Sequence, residues 1–477
     1  MKKVLQLTAV TLLLSSFPLI AQINTPILSD DAIHFNVQHR FNGGEPLPTE
    51  MITIPFNVNP LIPLKENFCR HLKKKNRPAK IDTILEWVLP ESETQVLGYL
   101  PPVSIKTNID CKGVGKSDLI FPAYRRQVPK QFGRGVIDWK GLDAHFTFLK
   151  KFEDLTAAVN IAGFILKEED GILAKLGKST FHGQFDSTMT PTQMAGHIST
   201  FNLSEQEYYM NLNNLEFKFN TEKSAKGLDL GNFSVKVGPI DLNDEDFASS
   251  MTALVLKAGS NVQDGLVNST LYTQINNWIL PTPVLFDTVP TVNFVGDIAI
   301  RNLDEDVLLA VRKMVTTENS ENIMNMFGET MAILPQLLTK SPEINLSNFL
   351  LETPNGNLKV SASIKIDGKK VTSLEESVLR AALQANLDVL INQKLLEEIL
   401  AIQILTQMLE EHVTDEQKFT ESELNFLKQQ AKNSSKEQIS MLISLGLFVT
   451  AKDDYKLDAD FKNNQLILNG KIIPLPF

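Results

Sequence analysis

The sequence predicts an α+β fold: a large curved antiparallel sheet or meander, with long amphipathic helices packed on it in the C-terminal half. Three observations point there. Leu358, Val360, Ala362, Ile364 and Ile366 alternate with Lys359, Ser361, Ser363 and Lys365, the period of two that gives a strand one dry and one wet face. Between Val96 and Leu242, short strand-like runs follow one another across turns rich in glycine, without the helical spacers of βαβ units. Past Asp304, apolar residues recur at helical spacing on both sides of the alternating segment.

A chain of 477 residues exceeds what one core holds, about 250 to 300 residues, so at least two packed units are expected. Apolar residues make up 43% and charged residues 21%, the composition of a folded chain. The 46 basic and 56 acidic residues leave a formal charge of -10. Nucleic acid is disfavoured as a partner, because binding a polyanion needs clustered cations.

The first segment, residues 1–21, reads as a signal peptide or N-terminal anchor. Lys2 and Lys3 precede an apolar run from Val4 to Leu14, followed by Ser15, Ser16, Pro18 and the small residue Ala21. Cleavage would release the protein into the periplasm. Leu19 stands where cleavage prefers a small side chain, and an uncut Val4–Ala21 is just long enough to anchor the chain in the inner membrane.

Residues 22–95 are polar and rich in Pro, Asn and Asp, and are expected to form an irregular N-terminal arm. A basic run, with Arg70, His71, Lys73, Lys74, Lys75, Arg77 and Lys80, is either a solvated turn or a contact for anionic headgroups. The only cysteines, Cys69 and Cys111, either pair in an oxidising compartment or stand as independent thiols.

Residues 96–245 form the strand-rich antiparallel region, with runs such as Val103–Ile109, Ile137–Phe148, Ala157–Leu166 and Thr180–Phe185. Residues 246–477 are the helix and hairpin region. Helix-like spacing runs from Phe247 to Trp278, a strand from Phe294 to Ile300, and a helix from Asp304, with Asn302 or Asp304 as N-cap. Ile344, Leu346 and Phe349 lead into the Pro354-Asn355-Gly356 turn of the hairpin. Ser373 and Glu376 then suggest a capping box, opening one helix that continues through Leu383, Leu387 and Leu390 toward Leu409. A charged helix runs from the break at Thr414–Lys418 to about Leu445. Tyr455, Leu457, Ala459 and Phe461 turn at Asn463-Asn464 into a closing hairpin.

No nucleophile elbow, zinc-binding helix, phosphate loop or dinucleotide fingerprint is present, and no cofactor is implied. Among seven scattered histidines, His182 and His197 fall in the strand-rich region and are the candidate metal or acid-base residues; the alternative is ordinary strand residues. Asp241, Asp244, Glu245 and Asp246 lack the spacing of a calcium loop and read as a loop feeding a helix N-terminus.

The hairpin over Asn345–Ile366 and the closing segment Tyr455–Leu475, with Leu466-Ile467-Leu468-Asn469-Gly470, resemble the YdgA-type family of Gram-negative envelope proteins. The resemblance extends over roughly residues 290–475. It implies an exported or membrane-anchored chain and a domain of unknown function, and no catalytic residue.

Three functional expectations follow. The first is a non-catalytic envelope protein that binds a protein partner or a lipid-like amphiphile on the sheet. The second is an envelope hydrolase with a site near His182 and His197. The third is an oligomeric scaffold joined through its amphipathic helices.

Overall fold

In the computed structural model, the chain is described over residues 32–55, 61–71, 78–132, 135–149, 154–168, 171–205, 208–244, 247–279, 291–317, 333–412 and 420–474. The expected leader, residues 1–21, lies outside these residues, as do Lys73, Lys74, Lys75 and Arg77 of the basic run. The chain divides into two compact units, one of residues 1–221 with 236–245 and one of residues 222–235 with 246–477. Both are built on antiparallel strands.

In the first unit the strands are β1 (Ala32–Phe41), β2 (Glu50–Pro55), β3 (Ala79–Val88), β4 (Val103–Ile109), β5 (Gly115–Phe121), β6 (Tyr124–Val128), β7 (Gly135–Trp139), β8 (Leu142–Phe148), β9 (Leu155–Ile161), β10 (Phe164–Glu168), β11 (Gly171–Leu176), β12 (Ser179–Phe185), β13 (Pro191–Glu205) and β14 (Tyr208–Lys223). Helix α1 (Leu61–His71) follows β2 and helix α2 (Glu91–Leu97) follows β3. Residues 22–95 were expected to form an irregular arm, yet from Ala32 onward they supply three strands and two helices. The alternation there is real but short: β3 runs buried-exposed over Ala79 to Glu86, because its two faces meet core and solvent in turn.

One layer runs β2-β1-β3-β4-β5-β8-β9-β12-β13-β14. A second runs β6-β7-β10-β11 and joins the first through the far half of β13. The predicted single runs Ile137–Phe148 and Ala157–Leu166 are each two strands. β7 and β10 pair in one layer, β8 and β9 in the other, so both runs change layer at the same level, where Lys140 N–H donates to Gly163 O and Ala162 N–H to Gly141 O. Gly141 and Gly163 take φ of 107° and 137° there, which residues with a Cβ resist.

The inner side of the first layer carries the core. Phe35, Val37, Ile54, Leu85 and Val103 form one cluster, onto which Leu64 of α1 packs. Ala79, Ile81, Ile109, Phe148 and Leu155 form another, with Ile62 and Phe68 of α1 against it. Trp139 of the second layer lies 5.2 Å from Phe121, ring centre to ring centre.

The remaining strands are β15 (Asp229–Val237), β16 (Ile240–Asp244), β17 (Phe247–Met251), β18 (Ala253–Gln263), β19 (Leu266–Ile279), β20 (Thr291–Asp304), β21 (Glu343–Thr353), β22 (Gly356–Ile366), β23 (Leu383–Asn392), β24 (Val449–Ala451), β25 (Asp454–Lys462), β26 (Gln465–Leu468) and β27 (Lys471–Ile473). Helices α3 (Glu305–Thr317), α4 (Glu376–Ala382), α5 (Gln393–His412) and α6 (Glu421–Ser444) are interspersed. β16 pairs with β14 in the first unit. In the second unit β15 pairs with β18, from which the order continues β19-β20-β21-β22-β23-β25-β26-β27.

The predicted hairpins stand: Thr353 pairs with Gly356 across Pro354-Asn355, and Asn463 and Asn464 both adopt positive φ between β25 and β26. Asp304 caps α3, its Oδ1 accepting from the amides of Asp306 and Val307. Three expectations are corrected. Phe247–Trp278 is strand throughout apart from its turns, not helix. Asp241–Asp244 therefore lies in β16 and feeds no helix, Glu245 and Asp246 being outside the described residues. The single helix drawn from Ser373 toward Leu409 is α4, then β23, then α5; Ser373 donates no capping box, and the box that forms joins Thr420 and Glu423 at the start of α6. Leu383 and Leu387 fit a period of two as well as one of 3.6, and pairing with β22 and β25 on both sides decides for strand.

Candidate functional site

The sequence-predicted histidines lie on the outer face of the first unit's sheet. His182 faces Ala195 across the β12–β13 pair and His197 faces Thr180, so the two are diagonal neighbours on one surface. His182 is exposed and His197 half-buried. Glu216 stands opposite His197, yet neither histidine is hydrogen-bonded to a carboxylate among the described residues. No group of three His, Cys, Asp or Glu among those residues is placed to hold a metal ion. The same face carries His145, whose Nδ1 lies 2.6 Å from Asp118 Oδ1. Its rows are polar from strand to strand, the pattern of a solvated surface.

Cys69, in α1, and Cys111, in the turn between β4 and β5, are both exposed thiols; the bridge the sequence allows is not formed. They belong to elements engaged elsewhere. Cys111 sits in a turn closed by Asp110, while the neighbours of Cys69 in α1 reach His39 and Glu50.

That second engagement is a buried network which the sequence reading passed over. His39 of β1 is buried, its Nδ1 2.8 Å from Thr83 Oγ1 and its Nε2 2.8 Å from Asn67 Oδ1. Asn67 Nδ2 donates to Glu50 Oε2 at 3.1 Å, so its oxygen faces the imidazole and His39 carries its proton on Nε2. Arg70 donates to the same Glu50 oxygen at 3.2 Å. His71 Nε2 comes within 3.1 Å of Glu50 Oε1, but out of line for a hydrogen bond. Burial pushes the His39 pKa down, more than the Asn67 hydrogen bond raises it, with His71 lowering it further. The network fastens α1 to the sheet.

The second unit has a different surface. Four rows of side chains run across β18, β19, β20, β21, β22, β23 and β25 on one face. One row reads Ala258, Leu271, Ile298, Leu346, Ala362 and Leu387; the next passes Ile300, Ile344, Ile364, Ala385 and Phe461. The other two rows contain Phe294, Leu351 and Leu358, and Phe349, Val360 and Val389. None of the four contains a charged residue. A shift at Leu346/Phe349 keeps Ile344 and Leu346 on the same face as Phe349 and Leu351, although the spacing changes from even to odd. The opposite face holds Lys257, Asp297, Lys359, Asp388 and Lys456.

Seven strands at about 4.8 Å span about 30 Å. Toward the β23–β25 end, Ile391 and Tyr455 form a buried cluster with Leu395 and Leu396 of α5 and Ile439 of α6. Elsewhere the face is open: Ile344 and Ile364 are each 50% exposed, Leu271 40% and Ile298 37%. These four sit on adjacent strands and form one aliphatic patch, where a soluble chain ordinarily places charges or a cover.

A family model described as a bacterial protein of unknown function, DUF945, matches residues 83–476. The chain belongs to the DUF945 family. The match takes in the whole of the uncharged face and, on its N-terminal side, begins within β3. No curated protein matches this DUF945 chain. Among its described residues no helix is long and apolar enough to cross a membrane.

Proposed function

We propose that this DUF945 protein is a non-catalytic, exported protein of the bacterial cell envelope that holds the apolar part of a lipid-like amphiphile on the open face of its second unit. The observation that carries the reading is the one face of seven strands that holds no charge, bare at Leu271, Ile298, Ile344 and Ile364. Its side chains are mostly aliphatic, suited to acyl chains, and offer no converging polar groups to orient a reacting centre. Helices α5 and α6 shield one end of the sheet and leave the other to the ligand. The leader-like residues 1–21 and the likeness to YdgA-type proteins support a periplasmic address in a Gram-negative cell, with the segment either cleaved or kept as an inner-membrane anchor.

The hydrolase alternative draws no comparable support from the geometry around His182 and His197. Ile344 and Ile364 are each half-exposed, so covering the two together is worth about 1.5 kcal/mol or more, over tenfold in affinity. Titration with a fluorescent acyl probe, such as cis-parinaric acid, should therefore give binding to the wild type at least about tenfold tighter than to Ile344→Asp/Ile364→Asp, with unchanged circular dichroism. Equal binding by the two proteins refutes the assignment of the face.

A further inference from the structure

The open patch has a charged end. Ile344 and Ile364 form the pair nearest the start of β21 and the end of β22. Just before β21 stands Lys340, and just after β22 the chain makes a short turn, Gly368–Lys370. The two segments are held together: Ile366 N–H donates to Pro342 O, and Gly368 N–H donates to Ser341 Oγ at 3.0 Å. Gly368 is packed so closely that a Cβ there would strike Thr339 O. Lys340, Lys369 and Lys370 are consequently gathered at one border of the aliphatic patch.

All three lysines are exposed, whereas the two carboxylates paired with them, Asp304 and Asp367, are withdrawn. Asp304 is buried and occupied as the cap of α3, with Lys340 Nζ 3.6 Å away. Asp367 is half-buried and accepts from the Lys369 amide, with Lys370 Nζ at 3.8 Å. Neither separation is a hydrogen bond; Lys370 Nζ donates instead to Ala381 O and Asn463 Oδ1, each at 3.4 Å, so Lys340 and Lys369 keep the most donors for a third party. Glu376, at the far end of α4, is paired with Arg380. Lys340, Lys369 and Lys370 thus present positive charge to solvent at this border, on a chain whose net charge is -10.

Resting on the reading of the face as an acyl-binding surface, we infer that its ligand is an anionic amphiphile whose headgroup lies at Lys340, Lys369 and Lys370 while its chain lies along Ile344 and Ile364. Apolar contact supplies affinity, and the lysines select the sign of the headgroup.

Calorimetric titration of the full chain with dodecyl phosphate, dodecyl maltoside and inorganic phosphate tests this, each amphiphile below its micellar concentration. Dodecyl phosphate should bind at least about tenfold tighter than dodecyl maltoside, and inorganic phosphate far more weakly than either. The Lys340→Glu/Lys369→Glu/Lys370→Glu variant should lose that preference while binding dodecyl maltoside as the wild type does. The inference is overturned if the triple variant keeps the preference, if both amphiphiles bind the wild type equally, or if inorganic phosphate binds as tightly as dodecyl phosphate. Binding of neither amphiphile would overturn the acyl-surface reading itself, and the headgroup assignment with it.

Discussion

Each nitrogen of the His39 ring has one neighbour, and together these neighbours specify a neutral imidazole. Nε2–H donates to Asn67, whose own amide is held by Glu50, and Thr83 Oγ1–H is left to donate to Nδ1. Protonation would place a charge where burial already disfavours it and would reverse the Thr83 bond. The folded-state pKa is below the ordinary value of 6.5, so on acidification the unfolded chain takes up this proton before the folded one. The stabilisation is complete above about pH 6.5 and is lost as pH falls through the folded-state value. Thermal unfolding followed between pH 7.5 and 5 should therefore show a steeper fall of the midpoint for wild type than for His39→Leu. At neutral pH the variant should be less stable by about 1–3 kcal/mol, since Asn67 and Thr83 lose their buried partner. Parallel pH curves for the two proteins would dismiss His39 as a titrating latch.

At the scale of elements, the change of layer at Gly141 and Gly163 is the most demanding local geometry in the first unit. Gly163 combines φ 137° with a would-be Cβ only 3.0 Å from Leu176 O, a backbone atom that cannot swing away. Gly163→Ala should accordingly cost about 1–3 kcal/mol by strain alone, read as a lower urea midpoint. Gly171→Ala, also at positive φ but with open space around it, should cost less; equal losses would mean that the tight corner is no constraint. In the sequence Gly163 stands out as punctuation while Gly141 falls inside a run read as one strand, and neither reads as a corner, because nothing local tells β7 to pair with β10 and β8 with β9. The hairpins of β21–β22 and β25–β26 were legible for the opposite reason: Pro-Asn-Gly and Asn-Asn set the turn, and alternation sets the register. β23 reads as helix from sequence because Leu383 and Leu387 satisfy two periods at once, and only its neighbours choose between them. The open patch was half legible. Ile364 was assigned to the apolar side of its strand, but whether that side is covered is a tertiary fact. The His39 network left no trace in spacing, since Asn67 comes from α1 and Thr83 from β3.

The whole molecule does not divide at a single point in the chain. Residues 222–235 are contributed to the second unit from within the sequence of the first, bringing β15 to the side of β18. The turn at Ser224–Leu228 is tied down there as well. Lys226 Nζ donates to both oxygens of Asp306, which raises its pKa, Arg312 reaches Asp229 at 2.7 Å, and Arg312 also donates to Gly227 O. A cut at 245/246, the boundary that the sequence suggests, would strip β15 from β18 and leave Leu254, Val255 and Leu256 on an unpaired edge. Such an edge recruits strands from other copies. A fragment of residues 246–477 should therefore aggregate, seen as high-mass species in light scattering, whereas one of residues 222–477 should remain markedly more soluble at the same concentration. The added strand supplies hydrogen-bond partners along β18 without altering the uncharged face beyond it, so acyl-probe binding normalised to folded protein should be the same in both. Equal solubility would show that β15 does not protect that edge. The comparison separates self-association through a bare strand edge from ligand capture by the sheet's face, two behaviours that look alike in a protein with exposed aliphatic side chains.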